Sequence, residues 1–329
     1  MLFHVVGSVF DMPSGFGLAD PVGGICQTTV MSAACVMDNK FKRLAPRHRV
    51  LALLIYGVAS VYAIADSETG SGLPSTGTVD FGVSFDDVLS IPQGQASGSV
   101  SYGSDELQTL AYYPADGGSR AEILLIHGGC WSNAYSRDHL SPLAWALAEA
   151  GYSTWLPEYR RVGDSGGGWP GSLEDVAAAL ARVADQTDGP LLLVGHSAGG
   201  HLALLASQEV NPSVAGVLAL APITDLGSYG AQEGSCQAMV SELLGGSLEE
   251  YPLIYQEASV IPERVSVSAR LLLGTEDPIV GVDQLAGFRP EQMQLLAGAG
   301  HFDLIHPGTA AFPILLETLA TLIPKREPF

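Results

Sequence analysis

Apolar runs of strand length alternate with segments of helical spacing from residue 121 to residue 322 of this chain, and that alternation limits the folds open to it. The runs 121–127, 153–159, 190–195, 214–221, 270–274 and 292–296 are almost uninterrupted apolar sequence, as strands buried on both faces must be. Between them, 141–150, 172–184, 199–209 and 309–322 carry apolar residues at helical spacing. Strand and helix in turn predict an α/β fold, a mostly parallel central sheet with helices on both faces. The stretches 85–91 and 97–115 alternate as strands do and are expected to be an antiparallel lead-in to the same sheet. Ser172, followed by Leu-Glu-Asp, is the expected N-cap of its helix. Residues 225–262 break the rhythm and are expected to form a small helical cap over the strand ends.

Charge then narrows the partners. With 15 Lys and Arg against 35 Asp and Glu, the net charge is −20, which repels a phosphate backbone and argues against nucleic-acid binding. Five of the fifteen basic residues fall within 40–49 and are followed by the uncharged stretch 50–65, ending Ala63-Ile64-Ala65. A basic then apolar segment closed by small residues reads as a signal peptide cleaved after Ala65, so export to the periplasm or medium is expected. The apolar stretch is shorter than the roughly 20 residues that span a bilayer, and no stable membrane span is expected in the mature chain. The expected organisation is thus an extension and signal peptide at 1–65, a Ser- and Gly-rich linker at 66–80 and one catalytic domain at 81–329. Of four cysteines, Cys130 and Cys236 lie in that domain, where an oxidising compartment would permit them to pair.

Chemistry is concentrated in four places, each following a predicted strand. Gly195-His196-Ser197-Ala198-Gly199 joins the strand at 190–195 to the next helix, the context of a nucleophile elbow, in which a tight turn presents the Ser197 hydroxyl over a helix N-terminus. Upstream, His127-Gly128-Gly129-Cys130-Trp131 ends another strand; glycines there let backbone N–H groups approach a substrate, and Ala198 would add a further donor to an oxyanion hole. Serine needs a base, and the base an orienting carboxylate. His301, on a loop after the last strand, is the preferred base, with His306 second; His127, His196 and His201 are expected to pack or bond locally, and His139 to begin a surface helix. Asp277, before Pro278, is preferred as the carboxylate over Glu276, with Asp283 and Asp303 as fallbacks. Arg160 and Arg161 read as structural ion pairs rather than anion binders, and Trp131 either lines the acyl pocket or packs beneath the loop. No metal cluster, phosphate-binding loop or dinucleotide fingerprint is present in the sequence, and no cofactor is expected.

These motifs resemble the α/β-hydrolase superfamily, and His-Gly-Gly-x-Trp with Gly-x-Ser-x-Gly resembles its kynurenine formamidase and small bacterial carboxylesterase branch. The resemblance implies a Ser197, Asp277, His301 triad, oxyanion donors at Gly128, Gly129, Cys130 and Ala198, and a small-molecule substrate. It implies a serine hydrolase of small acyl or aryl esters, an arylformamidase being the alternative and a non-catalytic binding protein of the same fold the more distant one. One departure stands out: 281–291 is short and contains Pro290, so the helix usual there is expected to be reduced.

Overall fold

Eight strands form one sheet in the computed structural model, which describes residues 79–208, 214–265 and 267–325. The expected signal peptide, and the expected linker up to residue 78, lie outside the described residues. The strands are β1 (Gly98–Ser101), β2 (Thr109–Tyr113), β3 (Glu122–Ile126), β4 (Ser153–Pro157), β5 (Leu191–His196), β6 (Val214–Leu220), β7 (Ser268–Gly274) and β8 (Met293–Leu296), in the spatial order β1-β2-β4-β3-β5-β6-β7-β8. From β4 to β8 every pairing is parallel, while β2 runs antiparallel to both β1 and β4. The uninterrupted apolar runs are the parallel strands, and all six residues of central β5 are buried, including the polar His196.

Helices cover both faces, among them α2 (Ser141–Glu149), α3 (Gly171–Ala184), α4 (Ala198–Ala206) and α8 (Ala311–Leu322), with α4 packed on β5 and β6 and α8 on β6 and β7. This is the α/β-hydrolase fold. Two local expectations need correction. Residues Phe85–Ser90 form a helix, α1, not a strand: Ser84 Oγ accepts the Asp87 amide while the Asp87 carboxylate accepts the Ser84 amide at 2.7 Å, and that reciprocal cap outweighs the apparent alternation. Ser172 does not cap α3, which starts at Gly171 behind Pro170; its hydroxyl donates instead to the Arg160 carbonyl at 2.7 Å. The segment 225–262 is helical as expected, with α5 (Leu226–Gly230), α6 (Ser235–Leu244) and α7 (Pro252–Ala258). Between β7 and β8 there are only two single 3-10 turns, Val282–Leu285 and Pro290–Gln292, the reduction expected from Pro290. Among the described residues no helix is long and apolar enough to cross a membrane.

Candidate active site

Ser197 sits between the last residue of β5 and the first of α4 with φ 56° and ψ −121°, a backbone conformation that non-glycine residues avoid. Packing makes it tolerable. A Cβ on Gly199 would overlap the carbonyl oxygens of Ile126 and His127, so only glycine lets the elbow press against the end of β3. The Ser197 amide is spent on the Leu220 carbonyl at 2.8 Å, which leaves the next amide, that of Ala198, as the first one available to a ligand. Ser197 is 2% exposed and lines a cavity of about 150 Å³.

The loop after β3 has three consecutive positive φ values, at Gly129 (101°), Cys130 (52°) and Trp131 (54°). Gly128 touches the elbow: a Cβ there would lie 2.7 Å from the His196 carbonyl oxygen and 3.0 Å from Ser197 Cβ. Gly129 and Cys130 line the cavity beside Ser197, and no hydrogen bond among the described residues engages the amides of Gly129, Cys130 or Ala198. Cys130 is joined by a disulfide to Cys236 of α6, with 5.0 Å between their Cα atoms, and Cys236 lines the same cavity.

On the other side of the cavity, His301 Nδ1 lies 2.7 Å from Asp277 Oδ2. Asp277 Oδ1 accepts the amides of Ile279 and Val280 at 2.8 and 2.9 Å, which fixes the carboxylate in the turn beyond β7. A proton on Nδ1 given to that carboxylate leaves Nε2 as the basic nitrogen, and His301 lines the cavity with Ser197. His196 donates Nε2–H to the His301 carbonyl at 3.1 Å and packs its ring 4.5 Å from that of His301. Burial, then the nearby His301 and His139, push His196 well below the ordinary imidazole range.

The remaining candidates sit elsewhere. His306 Nδ1 accepts the Gly308 amide at 3.0 Å outside the cavity, Glu276 is exposed, and Asp283 bonds Gln232 and Gln284. Asp303, fully buried, accepts the amides of Gly82, Val83 and Gly300 and so ties the segment before α1 to the His301 loop. Arg160 pairs with Asp175 at 2.6 Å, and Arg161 with Glu158 at 2.7 Å and Asp164 at 3.2 Å. Trp131 is fully buried and does not line the cavity: its Nε1 donates to His201 Nδ1 at 3.2 Å, and His201 donates its Nε2–H to the Ala258 carbonyl at 2.7 Å. His139 is no surface residue. It is buried, lines the cavity beside Phe85, Tyr135 and Phe302, and is held down to about 3 by burial and by His127. Phe85 reaches that wall from α1, a contact with no local sequence signal. Among the described residues no group of three or more His, Cys, Asp or Glu could hold a metal ion.

A parallel sheet with a serine turn after β5 and an acid and a histidine after β7 and β8 is the α/β-hydrolase architecture. Residues 111–290 match BD-FAE, and the chain belongs to that family. It is similar to the versiconal hemiacetal acetate esterase of Aspergillus parasiticus, 33% identical over 127 residues, 36% of this chain and 40% of the relative. It is also similar to the kynurenine formamidase of Meyerozyma guilliermondii, 35% identical over 107 residues, 32% of this chain and 40% of the relative. The matches span about half or less of the length of the curated relatives. Among solved structures, a truncated carbohydrate esterase from gut microbiota superposes with a TM-score of 0.56 at 19% identity, over 69% of this chain and 97% of the other, which shows a common fold.

Proposed function

We propose that this chain is a serine hydrolase that cleaves carboxylic esters of small acyl or aryl groups through an acyl-enzyme. One observation carries the reading: Ser197 in its strained turn and His301, bonded at 2.7 Å to Asp277, open into one cavity whose wall includes the unengaged amides of Gly129 and Cys130. In the first half-reaction His301 Nε2 takes the Ser197 proton as Oγ bonds to the carbonyl carbon, and the carbonyl oxygen becomes an oxyanion held by the amides of Gly129, Cys130 and Ala198. Collapse breaks the bond to the leaving oxygen, which takes the proton from His301. Water, deprotonated by the same nitrogen, then attacks the acyl carbon, and Ser197 leaves and recovers its proton.

The cavity of about 150 Å³, room for roughly five waters, favours a short acyl or compact aryl group over a long chain. The esterase and formamidase among the relatives support hydrolysis at a carbonyl in general. Export after Ala65 is part of the same proposal, supported by the Cys130–Cys236 disulfide, since such bonds persist in oxidising compartments. The test compares kcat/KM for p-nitrophenyl acetate, butyrate and octanoate with that for N-formylkynurenine, alongside fluorophosphonate labelling. Acetate or butyrate is expected to lead. A formamide value above every ester would make the protein an arylformamidase, and no labelling with no turnover would return it to the binding-protein reading.

A further inference from the structure

The ring of His127 is fully buried directly behind the loop that carries the unengaged amides, and both its nitrogens face oxygen. Nδ1 lies 2.8 Å from the Gly128 carbonyl oxygen and Nε2 2.9 Å from Glu158 Oε1. A carbonyl oxygen can only accept. Glu158 is likewise an acceptor: Oε1 also takes Arg161 Nη1 at 2.7 Å, and Oε2 takes the Arg137 amide at 3.0 Å. Burial raises the Glu158 pKa, but the hydrogen bond and charge of His127, the Arg137 amide and Arg161 outweigh it and hold the group at about 2. A neutral imidazole has one N–H and can serve one acceptor; a ring that serves both carries two protons and a positive charge.

Glu158 and Asp164 are carboxylates near the ring, and Arg161 bonds both. The Arg137 guanidinium turns away to the Thr109 and Leu156 carbonyls. Tyr159 stacks on the ring at 4.3 Å and gives its hydroxyl proton to the His127 carbonyl, while His139, with its ring 5.8 Å away, is kept neutral by burial and by His127.

We propose that His127 is a positioning residue whose imidazolium, paired with Glu158, fixes the Gly128–Gly129 peptide so that the Gly129 N–H faces the cavity. In a trans peptide the carbonyl and the following N–H point in opposite directions, so the bond that draws the Gly128 oxygen to the ring turns the Gly129 N–H away from it. Gly129 lines the cavity next to Ser197. This role rests on the hydrolase reading above, because an aimed amide matters to catalysis only where an oxyanion forms, and its effect then falls on kcat rather than on ground-state binding.

Two measurements test it. His127→Phe keeps a flat ring against Tyr159 but removes both donors; for an ester that the wild type hydrolyses, kcat is expected to fall about 10- to 100-fold with KM changed less than about threefold. A neutron structure of the wild-type protein at neutral pD, which needs no variant to fold, is expected to carry deuterons on both His127 nitrogens. A ring with one deuteron, a kcat loss under about threefold in a folded variant, or a rise in KM as large as the fall in kcat overturns the proposal. Wild-type protein that neither labels with fluorophosphonate nor turns over esters defeats the hydrolase reading, and with it the catalytic consequence, while the deuteron count still decides the ion pair by itself.

Discussion

The floor of the site and its cap are built from different materials. The floor, made of the ends of β3, β4, β5, β7 and β8 with their loops, fixes its polar groups twice over: Asp277 by two amides and His301, Glu158 by His127, Arg161 and an amide. The cap has helices of five to ten residues and leaves Leu248, Tyr251 and Leu253 exposed, Leu253 to 76%. It buries Leu226, Tyr229, Val240 and Leu243 in the shared core, and its cross-links include the disulfide, Gln237 Nε2 to the Ile279 carbonyl at 3.1 Å, the Trp169 amide to the Leu243 carbonyl at 2.9 Å, and His201 to the Ala258 carbonyl. Every group assigned to bond making stands on the floor, whereas the cap supplies only Ser235 and Cys236 to the cavity wall. On the proposed reading, a floor tied in this way holds the oxyanion donors in place, and a cap of short helices with exposed apolar side chains is the part free to vary the acyl space.

The sharpest way to break this division is at the floor itself. Ser197→Ala is expected to abolish fluorophosphonate labelling and lower kcat by about 10⁴-fold or more, with His301→Ala close behind. His306→Ala, on a side chain outside the cavity, should stay within about twofold of wild type. Steady-state kinetics on p-nitrophenyl acetate decides. If His306→Ala were as damaging as Ser197→Ala while His301→Ala were mild, the floor would have been assigned wrongly.

The floor was also the part most legible in the sequence, for a physical reason. Strands buried on both faces must be continuously apolar, and an elbow pressed against β3 must be lined with glycine, so both leave their mark at fixed chain positions. Contacts made across the chain leave none. His139 meets Phe85, 5.6 Å away between ring centroids, in a helix whose Phe85 and Val88 stand three apart behind the Ser84 and Asp87 cap, a contact across 54 residues that no local pattern announces. Trp131 could be read toward the pocket or beneath the loop, and only its bond to His201, 70 residues on, shows which way the indole turns. The same limit hid the doubly bonded ring of His127, for its partner Glu158 lies at the end of another strand.

Acid should separate the two regions next. Glu158 is held at about 2 against an ordinary 4.5, so its contribution is complete above pH 4.5 and is lost as pH falls toward 2, about 3 kcal/mol in all. Buried His139 and His201, held at about 3 and about 4, act earlier and in the same direction: the unfolded chain takes their protons near pH 6.5 and the folded chain does not. The cap carboxylate Glu250 is held low by the Ser247 amide and hydroxyl but is fully exposed, and it should matter little. Hydrogen exchange at pH 7 and pH 3 is expected to show protection lost first in 121–130 and 156–164. Earlier opening of 235–258 would reverse the comparison.

The disulfide is where the two regions meet, and cutting it should act on substrate selection and stability rather than on turnover. It joins positions 106 residues apart, and closing a loop of that size stabilises a fold by about 4–5 kcal/mol in the chain-entropy treatment, with about 2–4 kcal/mol typically realised. The double variant Cys130→Ser, Cys236→Ser is therefore expected to lose about 2–4 kcal/mol in urea unfolding. Its catalytic signature should differ from that of any floor variant. Gly128 is still seated against the elbow and the His301–Asp277 bond is untouched, so kcat for the acetate ester should change little. Cys236 forms part of the cavity wall, however, and a cap freed there enlarges the acyl space, so KM for longer esters should fall relative to that for acetate. A variant in which kcat collapses for every ester while relative KM values hold would mean that the disulfide braces the oxyanion loop, and Cys236 would then belong to the floor despite lying in a cap helix.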